Sequence, residues 1–214
     1  MILTTDNNNF ADNLKKREAR NWLVAMSNYY LKNREALEML ELLGFGIGAE
    51  FYSKNIKNIS KIIALEKDKK LFNAYTVPEN SNIFKYNYSI TEFLTSFQDK
   101  KFDILNLDFC SFFCDIKMKT RESTGETLRE VFNLKNFKKD SLIFTTFLLN
   151  GIHVKLNSYR DVILTDSDNI VAEIVKIASE YNVVLSPLDE TFIYKPNTRG
   201  WNTMLHTGFI VNEM

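Results

Sequence analysis

Cysteine is almost missing from this chain. Cys110 and Cys114 are the only two in 214 residues, which excludes a disulfide framework and makes a reducing compartment the default. Two thiols four positions apart also make an incomplete zinc set, and the only histidines, His153 and His206, stand far off in sequence, so no metal is expected. Proline occurs three times, at 78, 187 and 196. No Pro/Gly/Ser-rich linker divides the chain, and with 45% hydrophobic residues it is long enough for one well-buried core. An excess of one charge sign is lacking too. Lys+Arg and Asp+Glu are equal at 27 each, so there is no general electrostatic case for a polyanionic partner. No apolar run reaches membrane-spanning length, and Met1 to Asn9 is polar without a signal-peptide pattern. The expectation is a cytoplasmic protein with no membrane partner.

Glycine is also scarce, which makes its placement informative. Three of the seven fall at Gly44, Gly46 and Gly48, after the apolar stretch Met39, Leu40, Leu42, Leu43. A glycine cluster costs backbone entropy and needs a reason, and close approach of the main chain to a ligand is one. The loop is not a P-loop, because no Gly-Lys-Ser/Thr follows, and no nucleophile elbow appears elsewhere.

Around the glycines the pattern alternates. Phe10 to Leu31 reads as a helix, with Lys15, Lys16, Arg17 and Arg20 on its first half. A strand leads into the glycine loop. Then follow a helix over Ala49 to Asn58, a strand Lys61 to Leu65 ending at Glu66, and a helix Lys69 to Thr76. A third strand spans Asn82 to Tyr86, a helix Ile90 to Phe97, and a fourth strand Phe102 to Leu107, closed by Asp108. Residues 114 to 124 read as loop. A helix spans Leu128 to Phe137, a fifth strand Leu142 to Leu148, and an amphipathic helix Asn169 to Tyr181, with Ile170, Val171, Ile174, Val175, Ile177 and Ala178 at helical spacing. Strands at Val183 to Leu185, Thr191 to Tyr194 and Met204 to Val211 complete the chain, the last two as a hairpin about Pro196 to Gly200. Alternation predicts an α/β, doubly wound, mostly parallel seven-stranded sheet with helices on both faces. The C-terminal antiparallel β-hairpin would add an antiparallel edge. We assign residues 1–35 to an N-terminal helical extension and 36–214 to the α/β domain.

In such a sheet the ligand sits at the carboxyl ends of the strands. Gly44 to Gly48, Glu66, the stretch Tyr88 to Ile90 and Asp108 to Cys110 all fall at such ends. A carboxylate at Glu66 suits both hydroxyls of a ribose.

The segments Leu-Leu-Gly-Phe-Gly-Ile-Gly, Ile-Ile-Ala-Leu-Glu-Lys-Asp and Phe-Asp-Ile-Leu-Asn-Leu-Asp-Phe, followed by the hairpin, resemble class I S-adenosylmethionine-dependent methyltransferases over about residues 36 to 214. The resemblance implies S-adenosylmethionine as cofactor. Its amino-acid part would be wrapped by Gly44, Phe45, Gly46, Ile47 and Gly48. Its ribose would fall to Glu66, and its adenine would lie near Lys67, Ser89 and Ile90. Asp108 stands where amino-methylating members carry Asp/Asn-Pro-Pro. The prolines are absent, which disfavours base N-methylation by that arrangement. Asp108 is still expected to touch the cofactor and to orient the acceptor or take its proton. Phe109 and Phe112 are candidates to stack on a flat acceptor, with core packing as the alternative. The acceptor is unidentified, with nucleic acid or a nucleotide preferred. The family's usual acid two positions before the first glycine is replaced by Leu42, with Glu41 one further back.

Two other readings stand beside this one. A nicotinamide-dependent oxidoreductase uses the same kind of sheet, but at Gly-x-Gly-x-x-Gly its third glycine would fall on Ala49, with Gly48 one residue early. A non-catalytic binding module on the same fold is the second. Arg199, Gly200, Trp201 and Asn202 could border a cleft or form a plain turn.

Overall fold

The structure, a computed structural model, describes residues 14–44, 46–111, 113–114, 123–150, 163–164, 167–189, 191–194 and 203–213. The chain opens with α1 (Leu14–Tyr30) and then alternates through β1 (Leu37–Leu42), α2 (Ile47–Asn55), β2 (Ile59–Leu65), α3 (Lys69–Ala74), β3 (Ile83–Tyr86), α4 (Ile90–Ser96) and β4 (Phe102–Ser111). A short β5 (Phe113–Cys114) precedes α5 (Thr124–Leu134), β6 (Phe137–Asn150), β7 (Ile163–Leu164) and α6 (Ser167–Glu180). The chain ends in β8 (Val184–Pro187), β9 (Phe192–Tyr194) and β10 (Thr203–Glu213).

The main sheet runs β3-β2-β1-β4-β6-β10-β8, with β9 also paired to β10. β3, β2, β1, β4 and β6 are mutually parallel, and β10 is antiparallel to β6, β8 and β9. The expected mostly parallel α/β sheet with its closing hairpin is therefore present. One detail differs. The antiparallel strand does not form an edge. β10 is inserted between β6 and β8, which pair its main-chain groups on both flanks, while Met204, Leu205, Phe209 and Val211 are buried against the layers on the sheet faces.

Period-2 alternation sends side chains to two apolar layers. Leu40, Leu105, Leu107, Ile143 and Phe147 pack with Phe93 and Leu94 of α4, Val131 and Phe132 of α5, and Ile174 and Ile177 of α6. On the opposite face Leu37, Met39, Ile104, Leu142 and Phe144 pack with Trp22 and Leu23 of α1 and Ala49 and Tyr52 of α2. Each such fully buried side chain contributes about 1.5–3 kcal/mol.

At the amino end of the strands Asp103 is buried. It pairs with Arg34, lies 2.8 Å from Lys138 Nζ, and accepts the Glu38 backbone N–H at 2.9 Å. Asn28 clamps the end of α1 to the end of α2. It accepts from Lys57 N at 2.7 Å and donates to Asn55 O at 3.1 Å.

Several boundaries move. α5 starts at Thr124, four residues before the expected Leu128. Ser123 and Glu126 form a reciprocal capping box there, and Lys135 in the left-handed region stops the helix, so Phe137 begins β6. β6 tolerates its early start through a register shift around Asp140, whose φ is 57°. β4 does not close at Leu107. It continues to Ser111 through a second register shift between Asp108 and Ser111, so Asp108 lies within the strand. The hairpin turn expected at 196–200 and most of the loop expected at 114–124 lie outside the described residues.

Candidate active site at the carboxyl edge of the sheet

The turn after β1 puts Gly44 at φ 50° and Gly46 at φ 79°, both left-handed. Gly46 N donates to Leu43 O at 2.7 Å, and Gly46 stands at the N-cap of α2 without a side-chain cap. The three glycines have three different reasons. A Cβ on Gly46 would lie 2.1 Å from Tyr75 Cε2. One on Gly48 would lie 2.6 Å from Glu41 Oε1. Around Gly44 nothing comes within 4 Å of that position. Two of the glycines therefore serve packing, and Gly44 is the one that faces open space.

Glu66 follows β2 as expected. Its Oε1 accepts the Asp68 backbone N–H at 2.8 Å, and its carbonyl accepts from Asn87 Nδ2 at 2.7 Å. Asp68 in turn caps α3, accepting from Lys70 N at 2.7 Å. The loop thus holds the Glu66 carboxylate through one oxygen and leaves acceptor capacity on the other. Lys67 is exposed.

Ser89 is committed to its own helix. Its hydroxyl accepts from Glu92 N at 3.3 Å, and its N–H donates to Glu92 Oε2 at 2.8 Å. That box holds the Glu92 carboxyl below its usual range. Ile90 is buried in the apolar layer.

Asp108 stands on β4 with its register partner Thr146 on β6. Phe109 points to the other face and stacks on Phe147, centroids 5.5 Å apart, which is the packing alternative for this ring. Phe45, Phe112, His153 and residues 199–202 lie outside the described residues. Cys114 is buried, and its N–H donates to Thr124 Oγ1 at 2.8 Å.

Sequence reading missed a buried polar row on the Asp108 face. Glu41, 4% exposed, lies opposite Asn106, whose Nδ2 donates to Glu41 Oε2 at 2.6 Å. Burial pushes the Glu41 carboxyl well above the usual range. The Asn106 hydrogen bond opposes this, the charge of Asp108 adds to it, and Arg20 of α1 subtracts. Across β6, Thr146 Oγ1 lies 3.4 Å from His206 Nδ1. Burial pushes His206 down to about 4, against the pull of Asp108, so the imidazole is neutral at physiological pH. Trp22 of α1 covers this row, 5.5 Å from Phe144 and 5.4 Å from His206 by ring centroids. The available signal was Glu41 and Asn106 interrupting the apolar runs of two strands.

Solved structures that share this fold include methyltransferases. The methyltransferase domain of the bacterial CtHen1-C superposes with a TM-score of 0.60 at 13% identity, over 92% of this chain and 99% of that one. The N-methyltransferase NodS from Bradyrhizobium japonicum gives 0.55 at 12% identity, over 94% and 99%. SMU.776, a putative methyltransferase complexed with SAH, gives 0.56 at 14% identity, over 92% of this chain and 50% of that one. No protein-family model and no curated protein matches. The fold is that of class I S-adenosylmethionine-dependent methyltransferases, and identities this low establish the fold alone. No helix among the described residues is long and apolar enough to cross a membrane.

Proposed function

We propose that this chain is an S-adenosylmethionine-dependent methyltransferase. The observation that carries the reading is the open left-handed turn at Gly44, set at the carboxyl edge of a methyltransferase-type sheet beside β2, which Glu66 follows. The residues present fit the cofactor. The Gly44 main chain admits close approach, and Glu66 retains an oxygen for a ribose hydroxyl. When bound, S-adenosylmethionine supplies a methyl group already activated on a sulfonium, so the protein's work is alignment. Gly44 and Gly46 hold the amino-acid part through their main chain. Glu66 would hold the ribose and Lys67 would lie near the adenine edge, while the Ser89 hydroxyl stays with its helix cap. Asp108 orients the acceptor and takes the proton it sheds, and Phe109 flanks the acceptor side. A nucleotide or nucleic-acid acceptor is the preferred class, on the aromatic residues after Asp108 and the basic first half of α1 (Lys15, Lys16, Arg17, Arg20).

Calorimetric titration with S-adenosylmethionine and S-adenosylhomocysteine tests the reading. Both are expected to bind while NADH does not. An absence of heat and of thermal shift at millimolar ligand overturns it. Incubation with tritiated methyl donor and separate DNA, RNA, protein and small-molecule pools then finds the acceptor.

A further inference from the structure

The underside of α1 meets the sheet with polar atoms that find no partner. Trp22 Nε1, Asn106 Oδ1 and His206 Nε2 are all buried and make no hydrogen bond. Their residues are 9%, 2% and 5% exposed. A buried polar atom without a partner is costly, and native folds rarely carry several together. The three surround one ring. Phe144 is the register partner of Asn106, its centroid is 6.1 Å from His206, and Trp22 lies edge-on to both rings. This patch shares its sheet face with Asp108, one alternation along β4 from Asn106.

We propose that Trp22, Asn106 and His206 form an acceptor-reading subsite for a neutral planar group that carries a hydrogen-bond acceptor beside an N–H donor, such as a carboxamide or an aminated nitrogen heterocycle.

The chemistry of the three atoms sets this class. An indole N–H only donates, so the ligand must offer it an acceptor atom. Asn106 gives its amide hydrogens to Glu41 and Tyr52, at 2.6 and 3.5 Å, and keeps its oxygen, so the ligand must offer that oxygen a donor. A neutral imidazole nitrogen adapts to either. A carboxylate lacks the donor and an ammonium lacks the acceptor. The three residues are buried beneath α1, so a ligand reaches these atoms only when α1 lifts. The Asn28 clamp to Asn55 and Lys57 holds the other end of α1 to the end of α2. The inference rests on the methyltransferase reading for the word acceptor, but the binding it predicts does not.

The test follows the Trp22 indole N–H resonance in 15N-labelled full-length protein, with Trp201 as internal reference. Benzamide, cytosine, benzylamine and benzoate are titrated, each with and without S-adenosylhomocysteine. Saturable shifts of the Trp22 signal with benzamide and cytosine, but not with benzylamine or benzoate, are expected. His206→Gln should weaken the benzamide response about tenfold, and Trp22→Phe should weaken benzamide binding, read by calorimetry, to a similar degree. No shift with either neutral probe, equal shifts with the charged ones, or unchanged benzamide affinity in both variants overturns the proposal. A Trp22→Phe protein that is merely more stable, with affinity unchanged, also overturns it. Failure of S-adenosylhomocysteine to bind overturns the methyltransferase reading instead, and the titrations without it still decide this one.

Discussion

The ring of Tyr75 occupies the place a side chain on Gly46 would need, with Cε2 2.1 Å from where a Cβ would stand. Tyr75 is buried against α2, and its phenol is pushed up to about 12 by burial, with the charge of Glu50 adding to the effect. The neighbouring Gly44 meets nothing. The two glycines should therefore respond differently to the same change. Gly44→Ala carries only the left-handed backbone cost, about 1–2 kcal/mol. Gly46→Ala adds overpacking of about 1–3 kcal/mol. Urea unfolding should rank Gly46→Ala as the less stable. Tyr75→Leu should relieve part of its loss, with a coupling of about 0.5–3 kcal/mol in the double-mutant cycle. Equal losses would remove the packing account.

Glu41 and His206 impose opposite pH dependences. Glu41 has a raised folded-state pKa, so its contribution is complete below the usual carboxylate range and fades as pH rises through the folded value. Glu41→Gln should stabilise the protein at neutral pH by about 1–3 kcal/mol and lose that advantage near pH 4. His206 is depressed to about 4, so its contribution is present above roughly pH 6.5 and is lost as pH falls toward the folded value. His206→Phe should flatten the acid limb by roughly 3 kcal/mol. Unfolding midpoints measured from pH 4 to 8 check both signs.

Ser89 separates a cap from a cofactor contact. With its hydroxyl and N–H both bonded to Glu92, Ser89→Ala should lower stability by about 1 kcal/mol. Affinity for S-adenosylhomocysteine should not change. A large loss of affinity with unchanged melting temperature would give the hydroxyl to the ligand.

Glu66 should behave in the reverse way. Glu66→Ala removes a charged hydrogen-bond acceptor for the ribose and should weaken cofactor binding about tenfold to a hundredfold. The melting temperature of the free protein should move little, since Asp68 caps α3 by itself. Calorimetry beside a thermal melt decides.

Asp103 lies at the other end of the strands and serves stability only. Asp103→Ala leaves the Glu38 N–H without its acceptor and removes the partner of Arg34 and Lys138, and should cost about 1–3 kcal/mol. Cofactor affinity at temperatures where the protein stays folded should be unchanged.

The sheet and its alternating helices were legible because each apolar run declares its own period. What local pattern could not give was anything set by a neighbour in space. The start of α5 was in fact written in Ser123-Thr-Gly-Glu126, a capping signature hidden by Gly125 in the first turn. The continuation of β4 past Asp108 depends on β6 offering a partner at Phe147 across a bulge. The glycine cluster was visible, but its reasons were not. Gly46 answers to a tyrosine 29 residues away in sequence, and Gly48 to a glutamate seven residues before it. The polar row of Glu41, Asn106 and His206 comes from three strands and becomes one surface only when they align.

The placement of β10 sets an order on assembly. Residues 203–213 fill an interior slot, and β8, made earlier, has no other lattice of main-chain groups to join. During synthesis the half of the sheet around β1 can close early, while β6 keeps one flank unpaired until residues 203–213 are made. An arrest upstream of residue 203 should leave that flank as the sticky surface through which nascent chains associate.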